Sequence, residues 1–180
     1  MLKRTVLSTL LMLSMAGSAW AGQREDLPVF NDVSRQVQRY PYYSVFDSVA
    51  AGVDDGVVVL SGKVTMGYKA TEIAKRVAKV DGVRQVVNKI EVLPVSFFDD
   101  ELRAGLARAI FTHPALANYA LGPNPSIHIV VERGRVTLDG VVNNDSDRII
   151  ANSIARSFST FGVTNELKTD DEVERELERL

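Results

Sequence analysis

His113 and His128 are the only imidazoles in this 180-residue chain, so acid–base or metal chemistry of the usual kind would have to run through one of them. Neither stands at ligand spacing from a carboxylate cluster. His113 precedes Pro114 at the end of a helical pattern, where a basic group complements the helix dipole, and His128 falls in an alternating, strand-like run. Asp54-Asp55 and Asp99-Asp100-Glu101 offer neighbouring carboxylates, but turn chemistry and the preference for acids at a helix start explain both. Ser61, in Leu60-Ser61-Gly62-Lys63, belongs to neither a GxSxG elbow nor a GxxxxGKS/T loop. The residues point to a protein that is not an enzyme, with no catalytic residue, no metal and no cofactor.

Charge and aromatic side chains are the more informative chemistry. Between Lys63 and Lys89 seven cations face two acids, whereas residues 95–180 carry nine cations against fourteen acids. Lys69, Lys75, Arg76 and Lys79 fall on the polar side of a helical pattern, which suits an anionic headgroup surface and equally an ordinary solvated helix face. A second set, Arg103, Arg108, Phe111, Tyr119 and Leu121, with Phe97 and Phe98 close by, combines rings and arginines as an interfacial site would; packing against a sheet is the ordinary use of such rings. Tyr40, Tyr42, Tyr43 and Phe46 around Pro41 form a third aromatic group, open to the same two uses.

The elements that must position these residues follow from period and punctuation. Val29, Val33 and Val37 describe a brief helix begun by Pro28 and stopped at Tyr40-Pro41. Residues 45–53 and 57–64 read as a hairpin about Asp54-Asp55-Gly56. Ala70, Ile73, Ala74, Val77 and Val80 make one apolar helical face, closed by Asp81-Gly82, and residues 83–92 form a third strand. After Pro94 the order repeats. Ser96 and Asp99 cap a helix with the stripe Leu102, Leu106 and Ile110; strands follow over residues 126–131 and 135–142. A helix then buries Ala151, Ile154, Ala155, Phe158 and Phe161, and residues 163–167 make a short last strand. Thr169 to Glu172 is a capping box opening an acidic tail.

Two copies of an αββαβ module are the result, and one phrase marks both: Val59-Leu60-Ser61-Gly62 and Thr137-Leu138-Asp139-Gly140. The helical faces from Ala70 to Val80 and from Ala151 to Phe161 map onto each other at one constant offset, with a longer helix approach and a shorter last strand in the second copy. Gly62 and Gly140 are expected where the chain bends or a helix backbone comes close. With Gly82-Val83 then Val87-Asn88-Lys89-Ile90, and Gly162-Val163 then Thr164-Asn165-Glu166-Leu167, the pattern resembles the BON domain, and the twin copies resemble dual-BON periplasmic proteins typified by osmotically inducible envelope proteins. The resemblance implies an α+β fold in which each module is a three-stranded mixed sheet with two helices on one face. It also implies association with phospholipid membranes or envelope integrity under osmotic stress, without catalysis, and Gly62, Gly82, Gly140 and Gly162 as structural glycines.

Lys3 and Arg4, an apolar run to Ala16 and the small residues of Ala19-Trp20-Ala21 read as a signal peptide cleaved after about Ala21, hence a periplasmic protein. The organisation is therefore a signal peptide over 1–21, a first module over 22–94, a second over 95–168 and an acidic helical tail over 169–180. The absence of cysteine leaves no site for an N-terminal lipid and no disulfide framework. Without residues 1–21 the chain holds 19 cations against 23 acids, a balance that argues against nucleic-acid binding. An anionic phospholipid surface is the expected partner. The competing expectation is a protein-interaction or chaperone-like adaptor that docks another envelope protein through the acidic half.

Overall fold

A computed structural model describes residues 18–121 and 125–177, and the expected signal segment lies outside these except for Ser18 to Ala21. Helix α1 (Ser18–Gln38) is followed by strands β1 (Ser48–Asp54) and β2 (Val57–Val64), helix α2 (Gly67–Val77) and strand β3 (Gln85–Val92). Helix α3 (Phe97–Thr112), a 3₁₀ turn (Ala117–Ala120), β4 (Ile127–Glu132), β5 (Arg135–Val142), α4 (Asp145–Arg156) and β6 (Gly162–Thr169) repeat the order, and α5 (Asp170–Leu177) ends it. Each sheet is mixed: β1 and β4 run antiparallel to β2 and β5, which pair in parallel with β3 and β6 across α2 and α4. The fold is α+β in two tandem modules. No helix among the described residues is long and apolar enough to cross a membrane.

Each sheet buries one face under two helices. Val33 and Val37 of α1 and Ile73 and Val77 of α2 cover Val58, Leu60 and Val64 in the first module; Leu102, Leu106 and Ile110 with Ala151 and Ala155 cover Ile127, Ile129, Val136 and Leu138 in the second. Helix α1 departs from expectation, because it starts well before Pro28 and carries that proline inside. A tertiary contact overrides the local preference for proline in the first turn: the Asp26 carboxylate, two residues earlier, accepts the N–H groups of Asp55 (2.8 Å) and Gly56 (3.1 Å) at the hairpin.

Gly62 and Gly140 have φ of 116° and 118°. A Cβ at either would collide with the carbonyl oxygen of Ser48 or Ser126, so it is the neighbouring strand or its approach, not a helix, that excludes a side chain. Both hairpins turn on two consecutive positive φ values, Asp55-Gly56 (48° and 72°) and Arg133-Gly134 (51° and 73°), the type I′ geometry that matches strand twist.

The constant helical offset of the sequence is corrected here. The strands superpose Gly62 on Gly140, and the helices superpose Ile73 on Ala151 and Val77 on Ala155: both pairs are buried. The asparagines agree, since Asn88 Nδ2 donates to the Ala70 carbonyl (3.1 Å) and Asn165 Nδ2 to the Arg148 carbonyl (3.2 Å). The sequence alignment set Ala70 on Ala151 instead, one turn out of step, because a slip of three residues nearly preserves a 3.6-residue stripe. The apparent differences in the second copy vanish with it. β6 is as long as β3, eight residues, Phe161 is exposed rather than core, and Gly162 opens β6 with ordinary backbone while Gly82 has φ of 87°.

Residues 43–48 fasten one module to the other. Val45 accepts the Ile129 N–H (2.6 Å), extending the β4 edge, and Phe46 packs into the second core. The Tyr43 ring lies 5.3 Å from that of His128. Ser48 donates to Asp139, and Lys63 pairs with Glu132.

Candidate functional site

Apolar exposure concentrates at the hairpin end of the second module. Val95 is 97% exposed, Phe97 77%, Phe161 75% and Phe98 51%. The backbone beneath them is fixed from two sides. Ser96 caps α3 by accepting the Asp99 N–H (3.2 Å), and the Asp99 carboxylate, instead of closing a capping box, accepts the N–H groups of Arg133 and Gly134, each at 2.8 Å. The Phe161 N–H donates to the Gly134 carbonyl (2.8 Å). Phe98 and Phe161 converge over Gly134, where a Cβ would come within 3.4 Å of one ring and 2.7 Å of the other. The exposed Arg133 and Arg135 flank the turn. Large rings held in water on a rigid base, beside two guanidinium groups, have the chemistry of an interaction surface.

Helix α2 presents the second surface. Tyr68, Glu72, Lys75 and Arg76 recur along one stripe, with Lys79 just beyond the helix end. Arg76 stacks over the Tyr40 ring at 5.2 Å, and Tyr42 stands edge-on to Tyr40 (5.8 Å) and to Tyr68 (6.1 Å). Tyr42 and Tyr68 remain exposed, as do Lys75 and Lys79. The Lys75 to Glu72 pair (2.8 Å) is solvated and holds neither side chain firmly.

Lys69, expected on this face, points inward. It is 6% exposed, and its Nζ donates to Asp47 Oδ2 (2.6 Å) and Thr65 Oγ1 (2.8 Å). Asp47 also accepts from the Thr65 N–H (2.8 Å) and from the Ser44 N–H (2.8 Å) and hydroxyl (2.7 Å). Burial works to raise the Asp47 pKa, but hydrogen bonds from Lys69, Thr65 and Ser44 outweigh it and hold the carboxyl below its usual range. Lys69 therefore cannot reach a headgroup without vacating a buried charge.

The structure does not bring together the set Arg103, Arg108, Phe111, Tyr119 and Leu121. Arg103 is buried, reaching the Val131 carbonyl and pairing with Asp100. Phe111 packs against the second core. Tyr119 is buried as well; its hydroxyl donates to Asp147 and accepts the Asn143 N–H (2.8 Å), and burial with the Asp147 bond pushes its pKa up to about 12. Arg108 and Leu121 alone stay exposed. Phe161 is the residue that the sequence hid. The strand registers, Val57 with Gln85 and Arg135 with Gly162, set it opposite Arg84, whose N–H likewise donates to the turn carbonyl, that of Gly56 (2.8 Å), and so outside the core; the second copy is one residue shorter between α4 and β6, which an ungapped alignment of the sequence does not show.

Between the modules lies a cleft of 490 Å³, with Thr137, Asp139 and Thr164 on one wall and Ser48 and Lys63 on the other. Of its charged side chains, Lys63, Glu132 and Asp139 are engaged in the Lys63–Glu132 and Ser48–Asp139 contacts. No group of three or more His, Asp or Glu side chains among the described residues is arranged to hold a metal.

The sequence profile of the BON domain matches the chain twice, over residues 35–94 and 99–171. No curated protein matches. Among solved structures, the C-terminal domain of CdsD, the structural protein of the type III secretion system of Chlamydia trachomatis, is similar over 85% of this chain and 70% of its own, at 14% identity and a TM-score of 0.34. A second structure of CdsD from the same organism covers 84% of this chain and 98% of its own, at 12% identity and a TM-score of 0.28.

Proposed function

Because this chain belongs to the BON domain family, whose members are in general non-enzymatic and associated with the membrane or envelope, we propose that it is an exported peripheral protein of phospholipid surfaces that supports the envelope under osmotic stress. The observation that carries this reading is the exposed cluster of Val95, Phe97, Phe98 and Phe161 beside Arg133 and Arg135. Rings of this kind enter the boundary between headgroups and acyl chains, and guanidinium groups meet phosphate there. Full removal of one such ring from water is worth roughly 1.5–3 kcal/mol, so several shallow contacts suffice for reversible binding. The Lys75, Arg76 and Lys79 face with Tyr42 and Tyr68 supplies a second, more electrostatic contact. The N-terminal charge and apolar run support export to the periplasm as part of this reading.

Flotation of the chain lacking residues 1–21 with phosphatidylglycerol–phosphatidylethanolamine vesicles tests the reading. Binding is expected at low salt and weakens as salt rises. The double variant Phe97→Ser/Phe161→Ser should lose at least about tenfold in affinity, or about 1.4 kcal/mol, and Lys75→Glu/Lys79→Glu should lose less while flattening the salt dependence. Absence of binding to every vesicle composition at low salt refutes the proposal.

A further inference from the structure

We propose that His128 is a proton-operated latch between the two modules: neutral, it lets residues 43–48 lie along the edge of β4, and protonated, it drives the junction open. The argument rests on where the ring's partners lie. His128 belongs to β4, yet its ring faces the backbone of Ser44 and Asp47 and packs on Tyr43, all in the segment that precedes β1. Its Nδ1 is buried without a partner. A second proton on the ring must therefore sit at a buried nitrogen with no acceptor, and the cheapest way to hydrate it is to lift residues 43–48 off β4. That movement breaks the Ile129–Val45 hydrogen bond, the Ser48–Asp139 and Lys63–Glu132 contacts and the seat of Phe46, but it leaves both sheets and most of both cores intact.

The charged and titratable groups facing His128 set the direction. From β5 comes Asp139, its cross-strand neighbour; from the preceding segment come Asp47, already bound by Lys69 of α2, and the Tyr43 phenol, which burial keeps protonated. Next to Asp139 across β6 stands Glu166. Both aspartates and the backbone of Ser44 and Asp47 favour the imidazolium, but each carboxylate is already engaged, Asp139 by Ser48 and Asp47 by Lys69, Thr65 and Ser44. Desolvation prevails and lowers the ring's pKa below the usual 6.5. The closed junction thus binds fewer protons than the open one. Its stability is complete above 6.5 and is lost as pH falls from there through the ring's value in the closed state.

The test follows the His128 ring by NMR and the radius of gyration by small-angle scattering on one sample of the chain lacking residues 1–21, from pH 7.5 to 4.5. The expected result is expansion on acidification at constant secondary structure, in step with His128 and with a midpoint below 6.5. His128→Gln should abolish the expansion and His113→Gln should leave it unchanged. A radius that stays constant while His128 titrates overturns the latch, as does a folded His128→Gln chain that expands like the parent. If that variant does not fold, the agreement or disagreement of the two curves in the parent chain decides the matter alone.

Discussion

The two modules solve the same problem at the start of their second helix with opposite polarity. In each, the N–H of the residue following the central strand must find an acceptor, and the loop before the first strand must be tied down. In the first module Thr65 donates to Asp47, a carboxylate supplied by the loop, and Lys69 of the helix completes the joint. In the second, Asn143 donates to the Tyr119 hydroxyl, supplied by the 3₁₀ turn, and Asp147 of the helix completes it by accepting from that hydroxyl. Lys69 and Asp147 occupy equivalent helical positions when Gly62 is set on Gly140. The backbone geometry is kept, while the chemistry that satisfies it is free to reverse. The first module consequently encloses an ion pair, and the second depends on a neutral phenol.

Where the modules agree, breakage should be most severe. Gly62→Val and Gly140→Val each force a β-branched residue into positive φ against the carbonyl of Ser48 or Ser126. Strain of about 1–3 kcal/mol from the backbone alone, with a steric clash added, should exceed about 4 kcal/mol in either module. Hydrogen exchange resolved by module would show it, and full retention of stability in either variant would remove the equivalence of the two glycines. Where the modules differ, the losses should be unequal. Lys69→Met leaves Asp47 charged and buried, a loss of about 3–5 kcal/mol confined to the first module. Tyr119→Phe removes both hydrogen bonds of the hydroxyl and should lose about 1–2 kcal/mol in the second.

Acid separates the two joints further. The folded-state carboxyl of Asp47 titrates below the ordinary 3.8, so its stabilising contribution is whole above that value and disappears as pH falls through the lower, folded-state one. Tyr119 stays protonated throughout the acid range. Below about pH 4 the parent chain should therefore lose protection in its first module more steeply than an Asp47→Asn variant does. Equal slopes would mean that the Asp47 hydrogen bonds are weaker than their geometry implies.

Strand and turn chemistry made the architecture readable. The Asp-Gly and Arg-Gly turns, the alternating runs and the glycine of the repeated phrase each specify backbone that few residues can adopt, and they placed six strands in order. The apolar stripe of α4 was a poorer ruler, since a helix tolerates a one-turn slip that a strand does not, and this slip, with the one residue fewer between α4 and β6, buried Phe161 on paper. The site was legible in part. The outward placement of Lys75, Arg76 and Lys79 was readable because period assigns a helix face. Lys69 and Arg103 were misplaced as surface cations because their partners, Asp47 and the Val131 carbonyl, are brought to them only by tertiary contact. Nothing local in the sequence marks His128 as a junction residue, for its partners across the junction, Tyr43, Ser44 and Asp47, lie more than eighty residues away in the chain.

The smallest stability effect is expected at the point where the modules differ most in surface chemistry. Arg84 lies over the first hairpin turn and its guanidinium donates to the Asp55 carbonyl (2.8 Å), whereas Phe161 lies over the second turn in the equivalent place. Phe161→Arg makes the second module imitate the first. Phe161 is 75% exposed and the turn is already held by Asp99, so thermal stability should change by no more than about 0.5 kcal/mol, with slight repulsion from Arg133 and Arg135 the main cost. Vesicle affinity should nevertheless fall, because an added cation does not replace a ring that leaves water. A destabilisation above about 1.5 kcal/mol would instead identify Phe161 as the packing that closes the hairpin, and the membrane reading would then lose the observation on which it stands.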